Sequence, residues 1–336
     1  MLTFCTLFDS YYLDKALALY TSLQKVCDKF VLYCFCFDDR SKTILEHMKL
    51  SNVVLIHHKK FETEKLLQLK KERTKAEYCW TCTPIVIEYV LTHYSVENCT
   101  YIDADLYFFS NPKILFEEAL DADVLITEHR FPSTKKGQRQ QEKNGKYCVE
   151  YNYFSQNANS RKILAWWKEK CIEWCYFIHE RERMGDQKYL NDWKTMFKNV
   201  HELQNLGGGV APWNIGQYEL VEDHFSKEEI ALKEKKSNKV FNLVFYHFQN
   251  LRYLPNRKIN LRSQCHNKKL KYAIYIPYIK EIEKWRKLLI ETYGLSFEKN
   301  NRFCAGNKWA QFLQKNFAAY KIQSFSDFLN LDKLPK

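Results

Sequence analysis

Glycine and proline are scarce in this chain, at 9 and 7 of 336 residues, which excludes collagen-like, low-complexity and broadly disordered organisations. No run approaches the 18 uncharged apolar residues of a membrane-spanning helix. The longest candidates, Phe30–Phe37 and Tyr78–Ile87, have the length of a strand or a core helix. The first residues, Met1 to Asp9, carry neither a basic stretch nor a leader-length apolar run, and lead straight into a strand pattern, which predicts no secretion. Zinc-finger spacing is missing as well. Of twelve cysteines only Cys79 and Cys82 have two residues between them, and no second Cys or His pair follows at finger distance. The cysteines therefore read as reduced thiols packed in a core, with Cys171 and Cys175 on one helix face.

Aromatic residues and positive charge are abundant. Phe, Tyr and Trp make up 16% of the chain, and the net charge is +12. The charge is uneven: Lys227–Lys336 holds 23 Lys/Arg against 9 Asp/Glu, so the preceding residues are close to neutral. A basic surface of this kind suits nucleic acid, anionic lipid or a phosphate-bearing substrate. No RNP, KH, helix-turn-helix or finger pattern supports nucleic acid. Trp285, Leu288, Leu289, Trp309, Phe312 and Phe317, set among Lys and Arg at helical spacing, resemble an interfacial amphipathic helix pair, which reads either as a basic solvated face over a packed helical extension or as a peripheral membrane contact.

The order of elements predicts an α/β fold with a mostly parallel sheet flanked by helices. Apolar runs at residues 3–9 and 30–37 read as strands. Between them Leu13, Ala16, Leu17, Tyr20 and Leu23 follow helical spacing. A strand at 53–56, a charged helical segment at 59–75, an apolar helix at 78–94 and a strand at 99–106 continue the alternation. Further strands are expected at 123–127, 147–154 and 240–247, with a Trp-rich helix at 160–178 whose Trp166, Trp167 and Trp174 read as core. Ser133–Lys146 is the most polar stretch of the first half and reads as an exposed loop. Glu180–Arg183 reads as a solvated helix face.

The residues that carry chemistry begin at the end of the fourth strand. Tyr101-Ile-Asp103-Ala104-Asp105-Leu places two carboxylates at i and i+2 in an apolar setting, where burying them without a cation is costly. A hard divalent ion satisfies both and leaves positions for the phosphates of a nucleotide. In parallel sheets the ligand crevice lies at the carboxyl ends of the strands, where these acids fall. Gly207-Gly208-Gly209 gathers a third of all glycines at one point, allowing close backbone approach to a ligand, and Trp213 and Asn214 follow it.

These motifs, in this order, resemble the GT-A glycosyltransferases, family 8 in particular. Phe4-Cys-Thr6-Leu-Phe8-Asp9 is similar to that family's first strand, Tyr101–Leu106 to its DxD motif, Gly185-Asp186-Gln187 to its Asp-Gln motif, and Val244-Phe-Tyr-His247 to the later strand that supplies a histidine. The likeness runs over residues 3–250. It implies a catalytic domain at 1–250, a basic helical extension at 251–336, and transfer of a sugar from a nucleotide-sugar donor, a UDP-sugar above others, to a glycan or lipid-linked acceptor, with retention of configuration. It further implies Mn²⁺ or Mg²⁺ held by Asp103, Asp105 and His247. Thr6, Phe8 and Asp9 would surround the base, Phe8 by stacking, and Asp103 would contact the ribose, with Ala104 also in the nucleotide site. Asp186 would lie on the sugar hydroxyls and Gln187 beside the anomeric carbon; apart from the resemblance, the backbone freedom of the glycine cluster places Gly208 and Asn214 on the donor or acceptor cleft. The sequence departs from the family in Lys188, where Asp is usual, and in Glu77–Pro84, where an Arg near the donor is usual; Arg73 or Lys75 stands in for that Arg. Two other readings are a nucleotidyltransferase on a related fold, which expects a glycine-rich loop that Thr6–Tyr12 lacks, and a non-catalytic basic membrane or nucleic-acid binder. The resemblance implies a cytoplasmic enzyme, peripheral at the inner face of a membrane.

Overall fold

The computed structural model describes residues 1–221, 229–254, 257–263, 265–297 and 328–333. Cys304 and the second amphipathic segment, with Trp309, Phe312 and Phe317, lie outside the described residues.

Strand β1 (Leu2–Phe8) is buried along its whole length, as expected of a strand covered on both faces. Helix α1 (Leu13–Val26) turns Leu13, Leu17, Leu19 and Leu23 inward with no measurable exposure beyond 1%, each contributing about 1.5–3 kcal/mol of burial. The chain continues through β2 (Phe30–Cys36), α2 (Asp39–Met48), β3 (Val53–His57), α3 (Glu64–Glu72), α4 (Lys75–His93) and β4 (Asn98–Ile102). It then runs through β5 (Leu106–Phe108), α5 (Lys113–Ala119), β6 (Val124–Glu128), α6 (Lys135–Asn144), β7 (Tyr147–Ser155), α7 (Ala158–Glu173), α8 (Trp193–Met196) and β8 (Val200–Glu202).

One seven-stranded sheet has the order β3-β2-β1-β4-β7-β6-β8. β1 pairs in parallel with β2, from Leu2 opposite Phe30 to Phe8 opposite Cys36, and with β4 on its other side. β7 runs antiparallel to both neighbours. This is the mainly parallel, helix-flanked α/β sheet that the alternation predicts. One face holds Phe4, Phe8, Leu17 and Tyr151. The other holds Phe35, Val86, Phe154, Trp167 and Trp193, so Trp167 is core, as its spacing suggests. No disulfide joins the described cysteines.

The polar stretch expected to be a loop is instead helix α6. The Thr134 hydroxyl accepts the amide of Gly137 at the start, and Gly145 with φ +95° ends it. Charged, straight-chain residues between the two caps are sound helix formers, so polarity alone misjudged the segment. The Trp-rich helix stops at Glu173, and Glu180–Arg183 is an exposed irregular turn rather than a helix face.

After β9 (Tyr218–Leu220), β10 (Ala231–Glu234) and β11 (Val240–Asn242) comes β12 (Phe245–His247). The strand expected at 240–247 is thus two, broken at Leu243–Val244. β12 pairs antiparallel with β5, placing His247 opposite Leu106. β13 (Arg252–Leu254) and β14 (Lys258–Asn260) precede the long helix α9 (Lys268–Tyr293), capped by Asn267 and ended by Gly294. α9 lies on α1. Lys25 Nζ meets Glu281 Oε2 at 2.7 Å, and the Trp285 indole donates to Thr21 Oγ1 at 3.0 Å. Phe248 stacks on Tyr278 with centroids 3.7 Å apart. Among the described residues no helix is long and apolar enough to cross a membrane.

Candidate active site

Asp103, Asp105 and His247 come together from two separate parts of the chain. β4 ends at Ile102, the turn Asp103–Asp105 follows, and β5 carries the chain to its pairing with β12, whose last residue is His247. His247 Nε2 lies 3.1 Å from Asp105 Oδ1 and 3.5 Å from Asp103 Oδ2. One ligand atom from each residue falls within 4.8 Å of the others. Asp103 is the open member, with a side chain 30% exposed against 10% for Asp105 and 4% for His247. Ala104 between them is buried in the core.

The electrostatics are those of a strained anionic cluster. Burial raises Asp103 to about 6, Asp105 adding to the rise and the His247 charge opposing it. Burial acts upward on Asp105 too, but the His247 charge and hydrogen bond hold it below its ordinary value. Burial works against a charged His247 imidazole, yet Asp105 and its neighbours hold the proton well above the usual range. The metal-free cluster therefore uses His247 as its cation, and a divalent ion would replace that proton. Two carboxylate oxygens and one imidazole nitrogen, with the remaining side open through Asp103, fit a Mn²⁺ or Mg²⁺ ion that keeps positions for phosphate.

Glu150 completes the arrangement. It lies on β7 with no exposed surface. Its Oε2 sits 2.5 Å from His247 Nδ1, while Oε1 is buried without a hydrogen-bond partner. Its main-chain carbonyl accepts the amide of Asp103 at 3.0 Å. One residue thus holds the acid turn through its backbone and the histidine ring through its side chain. A carboxylate on one ring nitrogen fixes the orientation of the other toward a metal. The sequence reading missed Glu150; its signal was a lone acid in the apolar run Tyr147–Phe154. Lys15 was missed too. It is buried on the first turn of α1, lies over the Tyr12 ring at 3.8 Å, and its charge reaches Asp105.

Asp186 follows Gly185, whose φ of +55° and contact with Trp80, 3.3 Å from where a Cβ would stand, leave little room for a side chain. Burial raises Asp186 to about 8, and the Asp103 charge adds to the rise, so the two acids share one neighbourhood. The Tyr101 hydroxyl donates to Asp103 Oδ1 at 2.9 Å and feels Asp186 as well. Gln187 donates its side-chain amide to the carbonyl of Asn144 at the end of α6, at 2.6 Å. Lys188 points away, donating to the carbonyls of Glu142 and Glu180 at 2.6 and 2.7 Å.

The remaining candidates divide. Asp9, at the end of β1, receives Lys75 Nζ at 2.9 Å. Thr6 is fully buried, with its hydroxyl unpartnered. Phe8, expected as a stacking platform, is 3% exposed and packs in the core. Arg73 donates to Thr81 and to the carbonyls of Cys171 and Ile172, closing the end of α7. Its guanidinium is thus committed there, and Lys75 is the cation that reaches the end of β1. The three glycines serve packing: a Cβ on Gly207 would stand 2.2 Å from the Asn242 carbonyl, one on Gly208 2.8 Å from Leu203, and Gly209 has φ +78° against Thr127. Asn214 is fully buried and braces that loop, donating to the carbonyls of His129 and Gly209 and accepting from Ala211.

Comparison with known proteins agrees with the architecture. An active-site mutant of LgtC superposes with a TM-score of 0.50 over 85% of this chain and 99% of that one, at 11% identity. The shared architecture is the GT-A fold. Among curated proteins the chain is 32% identical to the uncharacterized protein YfnF of Bacillus subtilis (strain 168) over 268 residues, 78% of this chain and 85% of that protein. It is 28% identical to the uncharacterized protein YfnD of the same strain over 291 residues, 84% and 89% of the two. The chain belongs to the family of YfnF. No family model matches it.

Proposed function

We propose that the protein is a metal-dependent glycosyltransferase that moves a sugar from a UDP-sugar to a glycan or lipid-linked acceptor. The observation that carries this reading is the meeting of Asp103, Asp105 and His247 at the carboxyl end of a GT-A sheet, with Glu150 behind the histidine. Asp105 and His247 would hold Mn²⁺ or Mg²⁺, with Asp103 turned to the ion and the ribose. A bound ion supplies neutralisation of the charge that develops on the departing diphosphate. Asp9 and Lys75 bound the base end of the cleft, and Asp186 and Gln187 face the donor sugar.

Transfer breaks the bond between the anomeric carbon and the β-phosphate oxygen and forms one to an acceptor hydroxyl oxygen, whose proton leaves to solvent or base. The protein's share is positioning and a fixed electrostatic frame. Asp186 accepts donor hydroxyls once ionised, and the Gln187 amide, held by Asn144, stands by the reacting carbon. Family likeness favours retention of configuration. The exposed Lys280, Lys284 and Lys287 on α9, next to exposed Leu288 and Ile290, suit contact with an anionic membrane surface in the cytoplasm.

The test is calorimetric titration with UDP, GDP, CDP and ADP, with and without Mn²⁺. Mn²⁺-dependent preference for UDP is the expected outcome, followed by turnover with a panel of UDP-sugars. Binding of none of the four leaves the acid pair a structural feature and ends this reading.

A further inference from the structure

A second group of ligand-type side chains stands at the outer edge of the sheet. Asp39 is the first residue of α2, His57 the last of β3, and His58 opens the short turn that follows. His57 Nε2 is 2.6 Å from Asp39 Oδ1, and His58 Nε2 faces the same oxygen at 3.9 Å. The two rings are 4.2 Å apart at their centroids, and one ligand atom from each of the three residues lies within 4.8 Å of the others.

His58 is held from behind. Its Nδ1 bonds Glu62 Oε2 at 2.6 Å, and the Glu62 side chain, 2% exposed, is itself fixed by Lys70 and the Tyr78 hydroxyl. A carboxylate on one ring nitrogen is how metal-ligating histidines are oriented. A hydrogen-bonded His–Asp pair accounts for His57. It leaves His58 Nε2 aimed at a carboxylate oxygen beyond hydrogen-bond reach.

We propose that Asp39, His57 and His58 form a surface site for a borderline divalent transition ion, Zn²⁺ foremost, separate from the buried cluster. Two imidazoles and one carboxylate favour Zn²⁺ over Mn²⁺ or Mg²⁺, and three protein ligands leave a position for water. With bonds of about 2 Å, tetrahedral donors sit about 3.3 Å apart, between the two separations found here, so closure needs only small side-chain movement. Lys59 Nζ, 3.8 Å from Asp39 on a side chain 70% exposed, swings to solvent as the ion enters. The site stands independently of the transferase reading.

The test is calorimetric titration of the full chain with Zn²⁺, alongside His58→Ala, Asp39→Asn and Asp105→Asn, each checked for folding by thermal melting. The expected result is a saturable Zn²⁺ site in the unaltered protein and in Asp105→Asn, weakened about tenfold or more in both His58→Ala and Asp39→Asn. Asp39 is exposed, so its variant folds whatever His58→Ala does. Unchanged Zn²⁺ affinity in Asp39→Asn and His58→Ala, or loss of the site in Asp105→Asn, overturns the proposal.

Discussion

The two carboxylate–histidine clusters use the same side chains in opposite surroundings. Asp103, Asp105 and His247 are mostly sealed by β5, β7 and β12; burial lifts Asp103, while at Asp105 and His247 the attraction between the two outweighs it. Asp39, His57 and His58 sit on a rim, where the Asp39 carboxylate, largely exposed, is held below its ordinary value chiefly by its hydrogen bond to His57. Residue composition alone does not separate them. Depth does, because a buried acid must find a cation whereas an exposed one has water.

The largest break in that comparison comes from Asp105→Asn. It removes a ligand in the buried cluster without touching core packing, so Mn²⁺-dependent UDP binding should disappear from calorimetry while the melting temperature changes little. Next is the residue behind the histidine. Glu150→Ala should weaken Mn²⁺ binding by about 10- to 100-fold, with Glu150→Gln recovering part of it, since an amide oxygen still accepts from Nδ1. Manganese electron paramagnetic resonance reads both variants directly; equal affinities would deny Glu150 its positioning role.

A smaller effect sharpens the contrast through pH. In the metal-free protein Asp186 titrates at about 8 when folded and near 4 when unfolded, so the unfolded chain releases its proton first. Its contribution is complete below pH 4 and fades as pH rises toward 8. Asp186→Asn should flatten this slope and raise the melting temperature at pH 8 by several degrees, with no gain at pH 4. Mn²⁺ affinity should move the other way, rising with pH as Asp103 and His247 give up protons. Smallest is Lys75→Ala: its ion pair with Asp9 is 77% exposed on the lysine side and is worth about 0–1 kcal/mol. UDP affinity should fall a few-fold at most, and an unchanged value would detach Lys75 from the base.

Legibility followed the strength of local pattern. β1, β2, α1 and the DxD turn announce themselves through apolar period and a sudden pair of acids, and the structure places them within a residue or two of expectation. Phe8 and Arg73 were misjudged because residue type does not report direction: an aromatic at a strand end turns inward as readily as outward, and a guanidinium takes whichever carbonyls it meets. α6 was missed because its caps, Thr134 and Gly145, carry more information than its mean polarity. Glu150 was overlooked because only the return of β12 beside β5 reveals what stands opposite it, and that contact spans 97 positions of sequence.

The reversed direction of β7 has an effect on how such a fold can diversify. In an all-parallel sheet every helix-to-strand connection falls on the side away from the crevice. Because β7 points backward, the segment leading into it, with α6, arrives on the crevice side and meets Gln187 through Asn144. α6 buries only Gly137, so its outward side chains can be rewritten at small cost to the sheet while its last carbonyls keep hold of Gln187 and Lys188. That makes the outward side chains of α6 the part of the crevice rim that can change with least disturbance to the sheet beneath it.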